Sequence, residues 1–379
     1  MKNYSILGTK PQTISPISRS FIILNRGRAT ITLNPDGVVT TFSATVPDGT
    51  IKRDSQYKSV LYELSEQMIK AYEAQTLTFL QLHRKLKKTI YSKKSYENKI
   101  DKIEKKTYKR CSFTIPEPTS KDVSALLCEE AKGALHNSKD DNTIGYQKFT
   151  SDRLQKVLSD RKAKWEEVRR LFFEIEDARE QKINAQYQRE YDAEREKELN
   201  YVNGEPSVVD DAIDNLSKEL EVPFNFGFNT SYSQETGTLD VNVELRENLD
   251  LPLLKAEMLS SGKISIKNKL VREITQQTTE TIFSFVFYFA GKLFGTSPNI
   301  EHVRMSVWDA GKQNGLLWVD FNRTAFARNI SPSMIPTTDI QVYNYPNVYD
   351  LRTRNTALEL NPITSEKFMK RIKDVMNEI

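Results

Sequence analysis

The sequence predicts an α+β protein with a small N-terminal β module, a long antiparallel helical arm, and a C-terminal, mostly antiparallel sheet packed on one long helix. Three observations predict it. Several short runs after Leu220 alternate apolar and polar residues with the period of a half-buried strand. One strongly apolar run near Lys269–Phe294 has helical spacing. Two long stretches, 56–108 and roughly 150–201, are charged and carry apolar residues mostly at three- and four-residue steps. The expected parts are 1–52, 53–219 and 220–379.

In the first part, Phe21–Leu24, Ala29–Leu33 and Val38–Val46 read as strands. Asn34-Pro35-Asp36-Gly37 supplies a turn, with Pro second and Gly fourth. Three strands of this size bury little and call for a partner surface. In the arm, Leu61, Leu64, Met68, Tyr72, Phe79, Leu82, Leu86, Tyr96, Ile100 and Ile103 form an imperfect heptad stripe, interrupted at Gln75, Thr89 and Lys93, with a candidate break at Ser92–Ser95. Pro116 and Pro118 make the next segment extended, and Asp122 is placed to cap a short helix through Leu135. The second long helix carries Leu154, Val157, Leu158, Trp165, Val168, Phe172 and Ile175, then becomes dominated by charge. At 1.5 Å per residue each long helix spans roughly 70 Å, and their similar lengths suggest an antiparallel pair. Val208–Leu220 is a short helix leading into the third part.

There, Leu239, Val241, Val243 and Leu245 alternate with polar residues, and Gln234-Glu235-Thr236-Gly237 joins them to Phe224–Tyr232 as a hairpin. Lys263–Lys267 is ambiguous. Leu270, Ile274, Thr278, Ile282, Phe285, Phe289 and Leu293 share one helical face, and Ile282–Phe289 is apolar nearly all round, which implies cover on more than one side. That run falls far short of the roughly 20 residues a bilayer requires. Gly295 marks the stop. Val303–Trp308 and Leu316–Phe321 form a second hairpin around Gly311 and Gly315. Asn329–Asn361 reads mostly as loop, and Thr364-Ser365 starts a terminal helix.

A length of 379 residues implies two or three folding units. The net charge of +4 gives no global case for nucleic acid or membrane. Two cysteines, Cys111 and Cys128, make no disulfide framework, and no apolar signal segment follows Met1, so a cytoplasmic protein is expected.

Several chemistries find no motif. There is no phosphate-binding G-x-x-x-x-G-K-[ST], since Gly311-Lys312 lacks the upstream glycine and the following hydroxyl. His83, His136 and His302 are isolated from one another and from any ligand pattern. No G-x-S-x-G occurs, and neither cysteine carries a nucleophile signature. No catalytic residue, metal or cofactor is therefore expected. Asp240 and Glu244 share a strand face and Lys263 follows, but not in the compact spacing of a metal-dependent nuclease. From Arg84 to Arg110, Lys and Arg far outnumber Glu97, Asp101 and Glu104, with Tyr91, Tyr96 and Tyr108 interleaved. Such a run suits phosphate contacts. It equally suits pairing along the arm with the carboxylates of Glu166–Glu198.

Arg19-Ser20-Phe21-Ile22, Gly27–Leu33 and Asp36-Gly37 together resemble the small β module of a bacterial group, domain-of-unknown-function family 4236. Short stretches elsewhere are similar to larger members: Pro116–Ala131, Trp165–Glu167, Val222-Pro223-Phe224, Leu251-Pro252, Ser261–Lys269 and Gly295-Thr296-Ser297-Pro298. The chain lacks the later glycine-rich repeat of that module. The resemblance implies architecture alone, because the family supplies no established activity or catalytic residues.

Three functional readings follow. The first is a non-enzymatic bacterial binding or assembly protein whose arm contacts a protein partner or a second copy of itself. The alternative is a nucleic-acid-associated component of a mobile-element or defence system, using Arg84, Lys87, Lys88, Lys93, Lys94, Lys99 and Lys102. The third is a metal-dependent nuclease built on Asp240, Glu244 and Lys263. No membrane contact is expected.

Overall fold

The computed structural model describes residues 2–86, 93–135, 143–246 and 249–378. The chain forms two compact units, Met1–Lys99 with Glu198–Ile379, and Ile100–Lys197. In chain order the elements begin with strands β1 (Asn3–Ile6), β2 (Ile17–Ile23), β3 (Gly27–Leu33) and β4 (Val39–Phe42). Helices α1 (Asp48–Arg53), α2 (Ser55–Leu80) and α3 (Lys93–Ile100) follow, with a 3-10 turn at Leu82–Lys85. The second unit holds α4 (Ser120–Leu135) and most of α5 (Thr143–Asn203). The first unit resumes with α6 (Pro206–Glu219), β5 (Phe226–Ser233), β6 (Thr238–Leu245), β7 (Leu254–Met258), β8 (Ile264–Asn268) and α7 (Val271–Phe294). It ends with β9 (His302–Trp308), β10 (Asn314–Asn322), α8 (Arg323–Asn329), α9 (Pro336–Val342), β11 (Asn347–Tyr349), β12 (Leu351–Arg354), β13 (Ala357–Leu360), β14 (Ile363–Thr364) and α10 (Ser365–Glu378).

The α+β class and the N-terminal β module are as expected. The module is β2-β3-β4, all antiparallel. Its partner surface is α2, whose Leu64, Met68 and Tyr72 share a core with Phe21, Ile23, Ile31, Leu33 and Ile264 of the β7–β8 hairpin. Tyr72 Oη donates to Pro35 O at 2.6 Å, fixing the helix to the turn between β3 and β4. Helices α1 and α2 therefore belong with the sheets, and the expected boundary at 52 does not separate them. The reason is the strength of α2's buried face, which β2, β3 and β7 cover.

The stretch 56–108 is also not one helix. Helix α2 stops at Gln81, and the 3-10 turn then buries Leu82 and His83 against α7. There His83 N–H donates to Ser284 Oγ at 3.2 Å, and its Nδ1 lies 2.8 Å from the same oxygen.

The central sheet runs β1-β5-β6-β9-β10-β11, with β14 also on β10. Every pairing is antiparallel except β6 with β9. Both predicted hairpins, β5–β6 and β9–β10, are present. Helix α7 lies in the crossover between β6 and β9. Phe285 and Phe289 meet Phe226 at 4.8 and 5.6 Å, and Phe287 meets Phe321 at 5.1 Å. On other sides Phe283 meets Tyr349 at 5.5 Å, and Leu360 N–H donates to Thr279 Oγ1 at 3.1 Å. A Cβ on Gly291 would lie 2.6 Å from Leu86 Cδ2, so a larger residue there would displace the end of that side chain. Burying each such phenylalanine contributes about 1.5–3 kcal/mol. This cover on several sides is why Ile282–Ala290 has no polar face. Buried Arg323 closes the helix end by donating to the carbonyls of Phe294, Ser297 and Ile300.

The tail expected to be mostly loop contains α9, β11 and the β12–β13 hairpin. These pieces are too short to show a period. At the edge of the sheet, α10 places Phe368 4.9 Å from Trp308, and a Cβ on Gly315 would overlap the Phe368 ring.

Candidate functional site

The second unit is thin. Ahead of α4, residues 103–119 contain no helix or strand. Phe113 packs 5.8 Å from Trp165 and 5.3 Å from Phe172 of α5, and Trp165 Nε1–H donates to Ile115 O at 2.9 Å. Glu176, 2% exposed, accepts from Tyr108 Oη and Cys111 N–H, both at 2.8 Å. These bonds, the Cys111 amide first, hold its carboxyl below the usual range. Arg110 pairs with Glu180 and Asp177, and Lys162 with Glu117 at 2.8 Å. Charge pairing along the arm is thus present at Arg110, but between α5 and an extended segment, not a second long helix.

Helix α4 completes the unit. It begins with a capping box: Thr119 N–H donates to Asp122 Oδ2 at 3.1 Å, and Asp122 N–H to Thr119 Oγ1 at 3.3 Å. Thr119 is therefore the cap, and Asp122 its reciprocal partner. Cys128 Sγ lies 3.8 Å from Thr150 Oγ1 of α5.

What this cover leaves bare is a stripe on α5. Val168, Leu171 and Ile175 are 46%, 44% and 60% exposed. Steps of three and four place them on one face, beside the face that carries Trp165, Phe172 and Glu176. Glu167 and Glu174, both exposed, border the stripe on its other side, and Arg170 pairs with Glu174 at 3.7 Å. Ala178, also exposed, continues the spacing.

The predicted basic residues divide between the two units. Arg84 is exposed in the 3-10 turn, while Lys87 and Lys88 lie outside the described residues. On α3, Lys93 Nζ donates to Asn299 Oδ1 at 3.0 Å, Lys94 is exposed, and Lys99 Nζ sits 4.9 Å over the Tyr96 ring. Lys102 belongs to the second unit.

The nuclease candidates are likewise dispersed. Asp240, Arg304 and Asp320 lie in register across β6, β9 and β10. Asp320, its side chain 3% exposed, accepts from His302 Nδ1 at 2.8 Å and Arg304 Nε at 3.1 Å. Its bond to His302 raises that imidazole above its ordinary value, against burial. Burial raises the Asp240 carboxyl; Arg304 opposes the shift and Asp320 adds to it. Glu244 instead accepts from Gly311 N–H at 3.2 Å and pairs with Lys312 at 3.6 Å. Lys263 sits at the β7–β8 turn, in a different sheet. Among the described residues no group of three His, Cys, Asp or Glu side chains is placed to hold a metal ion. Nothing in the sequence pairs His302 with Asp320 directly. The only available signal was that both occupy polar positions of alternating strands.

Among the described residues no helix is long and apolar enough to cross a membrane. No protein-family model, curated protein or solved structure matches the chain.

Proposed function

We propose that the chain is a non-enzymatic binding or assembly protein that associates with a second copy of itself through α5. The observation that carries this reading is the exposed stripe Val168, Leu171, Ile175. Apolar residues at alternating three and four steps suit knobs-into-holes packing against another helix. Among the described residues of the second unit α5 is the one long helix, and a second α5 supplies a partner. Charge selects the direction. In a parallel pair Glu174 of one copy faces Arg179 of the other, whereas an antiparallel pair sets Glu167 against Glu174. The seam spans about two heptads, so the dimer dissociates on dilution, with a Kd on the order of micromolar or weaker. Light scattering of the full chain across a concentration series tests this. The expected result is a dimer at high concentration, and a monomer throughout for the double variant Leu171→Glu, Ile175→Glu. A wild-type monomer at all concentrations, or an unchanged dimer in the variant, overturns the reading.

One observation favours a nucleic-acid role. Lys102, Lys105, Lys106 and Lys109 are exposed and make no ion pair among the described residues, although Arg110 of the same segment does. Phosphate contacts by these lysines would give binding that falls steeply with salt. Changing all four to Glu should abolish such binding; a short single-stranded DNA retained equally by the variant rules the segment out.

A further inference from the structure

In the first unit, α2, β7 and the start of α7 line an open cavity of ≈ 360 Å³. Lys269, 8% exposed, lines it. Its Nζ donates to Thr76 Oγ1 at 2.8 Å and to Gln277 Oε1 at 2.9 Å, both neutral acceptors. An ammonium has three donors. Among the described residues the third has no acceptor, and no carboxylate lies within ion-pair distance. Of the two acids at the cavity, Glu73 makes no ion pair with Lys269, and Glu273 is already committed: Oε1 accepts from Lys255 Nζ at 2.8 Å and Oε2 from Leu270 N–H at 2.7 Å. A buried cation lacking a counter-charge is costly, and proteins normally pair it.

We infer that this cavity binds a small organic monoanion, a carboxylate with a short apolar tail, whose carboxylate meets Lys269. The walls match such a ligand. Leu77 and Leu254, each 41% exposed, stand at the cavity with Ala256 and supply apolar cover for a tail. Of the charges that line this space Lys255 and Glu273 pair with each other, which leaves Glu73 to disfavour a second negative charge on the ligand and argues against phosphate esters. Burial draws the Lys269 ammonium below its usual range, with Glu273 opposing and Lys255 adding to the shift. A bound carboxylate would restore it.

The test is calorimetric titration of the full chain at neutral pH with hexanoate, its uncharged analogue hexanamide, and inorganic phosphate. Hexanoate should bind at least about tenfold more tightly than hexanamide, because a charge-assisted bond is replaced by a neutral one. Phosphate should not bind. Lys269→Met, similar in length and free of charge, should remove the preference for hexanoate. Leu77→Glu at the exposed wall should weaken hexanoate without touching Lys269, which keeps the test decisive if the first variant folds poorly. Equal affinity for the two analogues, no hexanoate binding at millimolar concentration, or a preference retained in both variants would overturn the inference.

Discussion

Helices α7 and α5 are both long, and they differ in what surrounds them. Between Ile282 and Ala290, α7 is buried on every side by the sheet, the β12–β13 hairpin and the segment through Leu82 and Leu86. Helix α5 is covered by a short helix and an extended segment, and its buried groups are few, Glu176 among them. In the first case helix and surroundings form one core. In the second, cover is partial, and the bare remainder is an apolar stripe. The difference teaches that length does not decide a helix's role; the cover its neighbours provide does.

The largest contrast should come from truncation. Phe285→Ala should cost about 3–5 kcal/mol, since Phe285 is fully buried among Phe224, Phe226 and Phe289. Leu171→Ala on α5, measured at a concentration low enough for the chain to be monomeric, should stay within about 0.5 kcal/mol. Urea denaturation of the two variants measures both, and equal losses would break the comparison.

A pH effect comes next. His83 is 5% exposed, and burial, with Arg84 adding, holds its imidazole down to about 4, against 6.5 when unfolded; Asp339 opposes the shift. Because the folded value is the lower one, this stability is fully present above pH 6.5 and is lost as pH falls toward 4. The loss reaches about 3 kcal/mol. Comparing urea midpoints of wild type and His83→Gln at pH 7 and pH 4.5 should show the variant losing less.

The smallest effect lies in the helical unit. Thr119→Ala removes one half of the capping box and should cost about 1 kcal/mol, read as faster amide exchange in α4 with the first unit unchanged.

Much of this arrangement is legible from residues. The alternation in Leu239–Leu245 and Val303–Trp308 defines strands, and the phenylalanines of α7 announce a helix covered on several sides. The break after Leu80 is not legible, because Leu82 and Leu86 continue the apolar stripe; only docking of His83 onto Ser284, about 200 residues away in sequence, explains it. The basic run is continuous in sequence, whereas its residues divide between two units. Val168 and Ile175 are apolar positions in the sequence, but exposure is decided by what packs nearby, and the segment through Phe113 covers the adjacent face. The surroundings of Lys269 left no trace in Asn268-Lys269-Leu270, since its partners come from α2 and the second turn of α7.

The central claim is that α5 pairs in parallel with a second α5. Ala178→Cys, in a chain with Cys111 and Cys128 changed to Ser, tests it by mild oxidation at high concentration. A parallel seam brings the two copies of position 178 within disulfide reach. The account predicts a covalent dimer on a non-reducing gel, lost when Leu171→Glu and Ile175→Glu are added. A monomer under oxidation, or a cross-link that survives those two changes, would contradict it.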